Sequence, residues 1–276
     1  MWYSYMPKKW TEEETELLIR LYPNTSRQEL SQILDRSEEG IKVKAMSLKL
    51  AKSDEFKKTH FQKNQPKAAI AASEARTRKA ESFVKFHDCF SNIDSEEKAY
   101  WLGFLAADGH ARKNDNGIIL SIQKSDVDHL EKFKGFIQCS RAIRDRGDGT
   151  VTLNFSSSLM NKDLKRYGIK TDGVYSFCLP RLEPELMRHF IRGLIDGDGW
   201  VCLEKPRLGV VCNTQIANEI KVFIFSQTNV QGKTAQTHKC GLISFCIYGK
   251  NQVLFVANWL KKDASVLLER KWMLCD

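Results

Sequence analysis

Tyr100-Trp101-Leu102-Gly103-Phe104-Leu105-Ala106-Ala107-Asp108-Gly109 and Phe190-Ile191-Arg192-Gly193-Leu194-Ile195-Asp196-Gly197-Asp198-Gly199 share one layout. Each predicts a buried helix with small residues four apart (Gly103 and Ala107, Gly193 and Gly197), ended by a glycine at the C-terminal cap. Positions i and i+4 lie on one helix face, and small residues there let two helix backbones approach closely. If the two faces pack together, Asp108 and Asp198 emerge side by side at the same end. Adjacent carboxylates repel unless a cation sits between them, so the arrangement asks for a divalent metal. One apolar helix ending in Asp-Gly is ordinary core helix plus cap; the repetition carries the reading. Neither stretch spans a membrane, which takes about 20 apolar residues.

The 276 residues allow one large domain or two smaller ones, and a 42% hydrophobic content is ample for a packed core. A formal net charge of +9 favours a polyanionic partner. The eight cysteines (89, 139, 178, 202, 212, 240, 246 and 275) include no CxxC pair and no Cys/His ligand spacing, which argues against zinc. Several sit in apolar runs as buried thiols do, pointing to a cytoplasmic compartment. The N-terminus lacks a charged start followed by an apolar stretch, so no signal peptide is expected.

WLGFLAADG and IRGLIDGDG resemble the two signature motifs of the LAGLIDADG homing endonucleases in their single-chain, two-repeat form. The resemblance covers residues 95 to 276, including Trp259 to Ser265 and the Leu268-Glu269-Arg270-Lys271 run, which is similar to the C-terminal end of intron-encoded or free-standing members. The local patterns agree with it. Strands are predicted at Gly117–Gln123, Arg141–Arg146, Thr150–Phe155, Arg207–Gln215, Lys233–His238 and Leu242–Tyr248. Helices are predicted at Asp126–Ile137, Leu159–Tyr167 and Ala217–Thr228. The fold class expected is α+β: two pseudo-symmetric αββαββα repeats, residues 96–180 and 181–276, which the resemblance implies form a saddle-shaped DNA-binding sheet.

Residues 1–50 read as a small three-helix domain. Thr11 with Glu14 and Ser26 with Glu29 form two capping boxes, and each helix offers one apolar face. Three short helices around Trp10 resemble a Myb/SANT-like or helix-turn-helix module, whose third helix would show Lys42, Lys44, Met46 and Lys49 to a major groove. A protein-interaction module is the alternative. Residues 51–95 read as a basic linker, with nine Lys/Arg against four Asp/Glu between Ala51 and Lys85. That is a solvated helix or a segment ordering along phosphates.

The resemblance implies a metal-dependent nuclease acting on double-stranded DNA. It assigns Mg2+ (or Mn2+) to Asp108 and Asp198, helped by the carbonyls of Ala107 and Gly197. The sixth signature position, Ala106 in one copy and Asp196 in the other, is not a ligand in the family. Gln123 and Gln215, read as strand ends 15 and 17 residues after the aspartates, are water-ordering candidates or simply exposed glutamines. Lys250 resembles the family's basic residue; Ser156-Ser157-Ser158 at the matching place has no lysine, so one strand is expected to be cut faster. DNA contacts are expected from Arg112, Lys113, Arg141, Arg144 and Arg146 in the first half, and from Lys205, Arg207, Lys233, Gln236, His238 and Lys239 in the second. A monomer of a mobile genetic element in a bacterial or phage-infected cell is the expected setting. A non-catalytic DNA-binding regulator and an intron RNA maturase are the rival readings; an intein is disfavoured because the chain lacks a nucleophilic first residue and a His-Asn ending.

Overall fold

A computed structural model describes residues 9–64, 67–113, 115–169, 179–236 and 242–273. The chain divides into two compact units, residues 1–74 and 75–276.

In the first unit, α1 (Glu12–Leu21), α2 (Arg27–Leu34) and α3 (Glu38–Ser47) enclose a core of Leu18, Leu30, Leu34 and Ile41. Both expected capping boxes form, Thr11 with Glu14 and Ser26 with Glu29. A helix α4 (Asp54–Asn64) and a helix α5 (Lys67–Glu81) occupy most of the stretch read as a linker. The unit extends past residue 50 because Lys52 lies over the Tyr22 ring at 3.8 Å and Ser53 N–H donates to the Pro23 carbonyl. Burial and neighbouring charge lower the Lys52 pKa to about 8.

The second unit follows α6 (Glu96–Asp108), β1 (Gly109–Ala111), β2 (Gly117–Gln123), α7 (Val127–Phe136), β3 (Arg144–Asp145), β4 (Thr150–Ser156) and α8 (Ser158–Arg166). It repeats that course as α9 (Pro184–Asp198), β5 (Gly199–Cys202), β6 (Arg207–Asn213), α10 (Thr214–Thr228), β7 (Lys233–Gln236), β8 (Leu242–Tyr248) and α11 (Lys250–Lys261). A short α12 (Glu269–Trp272) ends the described chain. Each repeat builds its own antiparallel four-stranded sheet, in the order β1-β2-β4-β3 and β5-β6-β8-β7. Gly109 pairs with Leu120 and Gly199 with Val210, so the two sheets start in the same register after their signature helices.

The signature helices pack on each other along the small-residue faces. A Cβ on Gly103 would lie 2.0 Å from the Phe190 carbonyl oxygen, and one on Gly193 would lie 2.0 Å from that of Tyr100. One at Gly197 would fall 2.2 Å from the Ala107 Cβ. The glycines after the aspartates differ from expectation in one respect. Gly109 (φ −79) and Gly199 (φ −112) are extended rather than left-handed, and what excludes a side chain there is space. A Cβ would meet the Leu105 carbonyl oxygen at 2.5 Å in the first case and the Gly209 carbonyl oxygen at 2.5 Å in the second.

Arg192 locks the pair. Fully buried, its guanidinium donates to Glu96 at the start of α6 and to the carbonyls of Leu260 and Val266, each at 3.0 Å. Removing one partner of such a buried ion pair costs about 3–5 kcal/mol. Gly103→Val is therefore predicted to destabilise the second unit by more than about 3 kcal/mol, because backbone cannot yield as a side chain would. Urea unfolding monitored by the buried tryptophans measures it.

Candidate active site

The close helix approach delivers the two signature aspartates to one place. Asp108 Oδ2 lies 3.2 Å from where a Gly197 Cβ would sit, one residue from Asp198. Both aspartates are half-buried at the C-terminal ends of their helices. Helix C-termini present unsatisfied carbonyls and partial negative charge, which adds to the carboxylates.

The cation that answers this charge comes from α12. Lys271 Nζ donates to the carbonyls of Ile195 (2.9 Å), Asp196 (2.6 Å), Gly197 (3.2 Å) and Gly199 (2.8 Å). Burial lowers its pKa, while Asp196, Asp108 and Asp198 all favour its charged form. Lys250 is not in this position. It opens α11, beyond the Tyr248–Arg207 pair, whereas Asp198 leads into the Gly199–Val210 pair three residues along the strand. The sequence marks Arg270-Lys271 only as part of a tail similar to that of the resembled family.

A cavity of about 250 Å³ beside Asp108 is lined by Gln123, Asp126, Thr150, Asp196 and Arg270, among others. Gln123 is exposed at the end of β2, opposite Thr150. Arg270 reaches the cavity wall from α12 and is held by a two-pronged ion pair to Asp126, at 2.6 and 2.7 Å. Gln215 is not the counterpart of Gln123. It is the second residue of α10, and its Nε2 donates to Glu219 at 2.9 Å. Asn213, like Gln123 the fifteenth residue after its aspartate, takes the matching strand end. There its side chain caps α10 by accepting from Ile216 N–H at 2.8 Å, which is why the helix begins earlier than periodicity suggests.

Under the paired ends lies a buried polar network. Asp196 accepts from Tyr100 Oη–H (2.7 Å), Leu268 N–H (2.8 Å) and Trp272 Nε1–H (2.6 Å). Burial raises its pKa to about 6 against those three hydrogen bonds. Tyr100 Oη is also 2.8 Å from His129 Nε2. The tyrosine has one proton and gives it to Asp196, so His129 carries its hydrogen on Nε2; its Nδ1 is buried without a hydrogen-bond partner. Burial holds the His129 pKa down at about 4.

Hard oxygen donors suit Mg2+, which binds through one or two carboxylates and keeps waters and phosphate oxygens for its other positions. Asp108, Asp198 and the carbonyls of residues 107 and 197 fit that description. The Gly197 oxygen already accepts from Lys271, and a carbonyl has a second lone pair to offer. Among the described residues, no three His, Cys, Asp or Glu side chains gather to hold a metal without such help.

The expected DNA-contacting residues are spread over the surface. Arg144, Arg146, Lys205, Arg207, Lys233 and Gln236 are exposed on strands or turns. Lys113 is exposed, and Arg112 pairs with Asp115 at 3.3 Å. Arg141 is half-buried with its guanidinium over Phe83 at 4.2 Å, which leaves it less to offer a phosphate. His238 and Lys239 lie outside the described residues. In the first unit Lys42 pairs with Glu39 and Lys44 lies 5.7 Å over the Trp10 ring, and Val43 and Met46 are the exposed large hydrophobic side chains of α3. Lys49 stands past the end of α3 with φ 54, not on it.

No protein-family model matches the chain, and no curated protein does. Among solved structures, it is similar to the LAGLIDADG homing endonuclease I-SmaMI bound to cleaved DNA, at 12% identity over 63% of this chain and 86% of that one, TM-score 0.45. It is likewise similar to the LAGLIDADG meganuclease I-AabMI bound to uncleaved DNA, at 12% identity over 62% and 85%, TM-score 0.44. Mesophilic variants of the homing endonuclease I-DmoI match at 16% identity over 64% and 98%, TM-score 0.44. No helix among the described residues is long and apolar enough to cross a membrane.

His129 contributes to the second unit a pH dependence of fixed sign. The unfolded chain takes up this proton near pH 6.5, the folded chain only near 4, so the His129 contribution is complete above 6.5 and is lost as pH drops through that window, while Asp196, with its raised pKa, acts in the opposite direction. His129→Gln should reduce the slope of unfolding free energy against pH there by up to about 1.4 kcal/mol per pH unit. Chemical denaturation at several pH values reads it.

Proposed function

We propose that this chain is a site-specific double-stranded DNA endonuclease of the LAGLIDADG homing type. The observation that carries the reading is the meeting of Asp108 and Asp198 at abutting helix ends, with Lys271 beneath them and a cavity holding Gln123 and Arg270 alongside. A phosphodiester is anionic, so its hydrolysis needs charge neutralisation, an activated water and a stabilised leaving oxygen. A divalent metal supplies charge neutralisation and water activation when bound. Asp108 and Asp198, with the carbonyls of Ala107 and Gly197, are the residues that would hold it.

The remaining groups divide the work. Gln123 offers an amide that can accept from and donate to a water in the cavity. Arg270, fixed in direction by Asp126, presents its remaining N–H donors to a phosphate oxygen, the fork geometry suited to that anion. Lys271 offsets the charge of the two carboxylates and of the helix end. Exposed Arg144, Arg207 and Lys233 are candidates for holding the duplex through its phosphates. The first unit adds a second contact with DNA through α3, where Lys42, Val43 and Met46 face outward. The protein works as a monomer, since one chain carries both repeats.

Cleavage of a randomised duplex library with Mg2+ tests the reading. Wild type should leave discrete staggered ends, and Asp108→Asn/Asp198→Asn should lose more than about 10³-fold in rate while still binding. Binding without cutting by wild type would favour a regulator, or a maturase if intron RNA is bound instead. Deleting residues 1–74 should weaken DNA affinity about 10-fold or more and leave the rate of cutting at saturating protein within about twofold. Loss of cutting at saturation would contradict the division of labour.

A further inference from the structure

We propose that Asp196 is a positioning residue: it seats α12 over the paired helix ends and thereby sets Arg270 toward the reacting phosphate and Lys271 beneath the two aspartates. The inference rests on the endonuclease reading above. Ala106 occupies the corresponding place on α6 and is as fully buried, so helix pairing itself does not ask for a carboxylate there. A carboxylate that is 2% exposed is costly unless its hydrogen bonds are made, and Asp196 makes three. Two come from α12: the N–H of Leu268, which caps the helix, and the indole of Trp272, its last residue. The third comes from Tyr100 on the opposite signature helix.

Asp196 therefore grips a one-turn helix at both ends and ties that grip to the other repeat. Between the two grips stand Glu269, Arg270 and Lys271. Glu269 pairs with Lys132 at 2.7 Å and Arg270 with Asp126, both in the first repeat; Lys271 covers the end of α9. Outward residues reach across to one repeat while buried ones hold the other. A one-turn helix has little rigidity of its own, so its orientation follows from these anchors. A shift of about 1 Å in a positioned group is enough to cost about 10²-fold in rate.

Two variants test this: Asp196→Asn, and Trp272→Phe, which keeps an aromatic ring and removes only the indole N–H. Phe245→Leu, in the buried layer under the second sheet, serves as a reference of lowered stability. Single-turnover cutting of the selected duplex, duplex affinity and thermal midpoint are measured for each. Both positioning variants should cut about 10- to 100-fold more slowly with affinity within about twofold of the parent, while Phe245→Leu keeps its rate within about twofold. Parental rates in both variants, or a loss no greater than in Phe245→Leu, would overturn the inference and leave the endonuclease reading standing. A parent that cuts no duplex would overturn both.

Discussion

Two helix backbones in contact at Gly103 and Gly193 are the constraint on which the second unit depends. Each glycine faces a carbonyl oxygen of the other helix at a distance no side chain tolerates, and the contact continues one turn on through Ala107 and Gly197. The approach fixes the relative depth of the helices, so their C-terminal aspartates end at one level. It also fixes the sheets, since β1 and β5 begin at the residues that follow. A packing requirement of small residues thus becomes a chemical one, two carboxylates in a single place.

That place is electrostatically uncomfortable, and the surrounding structure answers it. Two carboxylates and two helix C-termini concentrate negative charge. Lys271 supplies a half-buried cation to the carbonyls of α9, and Arg192 joins α9 to Glu96, to α11 at Leu260 and to Val266 beyond it. Asp196 adds a further buried carboxyl, steadied by three donors. The last described residues are therefore integral to the centre. They close the second repeat and reach the first through Asp126 and Lys132.

What the sequence discloses and what it conceals separate along physical lines. Local patterns were legible: both capping boxes and the small-xxx-small faces depend on residues within a turn or two. The positions that misled are those where a neighbour competes or a distant segment intervenes. Gln215 looks like a strand end until Asn213 caps the helix and draws it inside. Lys250 looks like a site lysine because it follows a strand, but that strand runs away from Asp198. Lys271 meets the end of α9 from more than seventy residues beyond the helix it touches, a separation that no periodicity reports. The glycines after the aspartates show the same division: their identity could be read, whereas their reason, crowding by Leu105 and Gly209, required the fold.

If Asp108 and Asp198 together hold the divalent ion used for cutting, its binding depends on both carboxylates. Electron paramagnetic resonance of Mn2+ titrated into the protein–duplex complex addresses it without relying on turnover. The wild-type complex should hold Mn2+ tightly, and the Asp108→Asn/Asp198→Asn complex should lose it with the DNA still bound. Mn2+ held equally well by both complexes would contradict it.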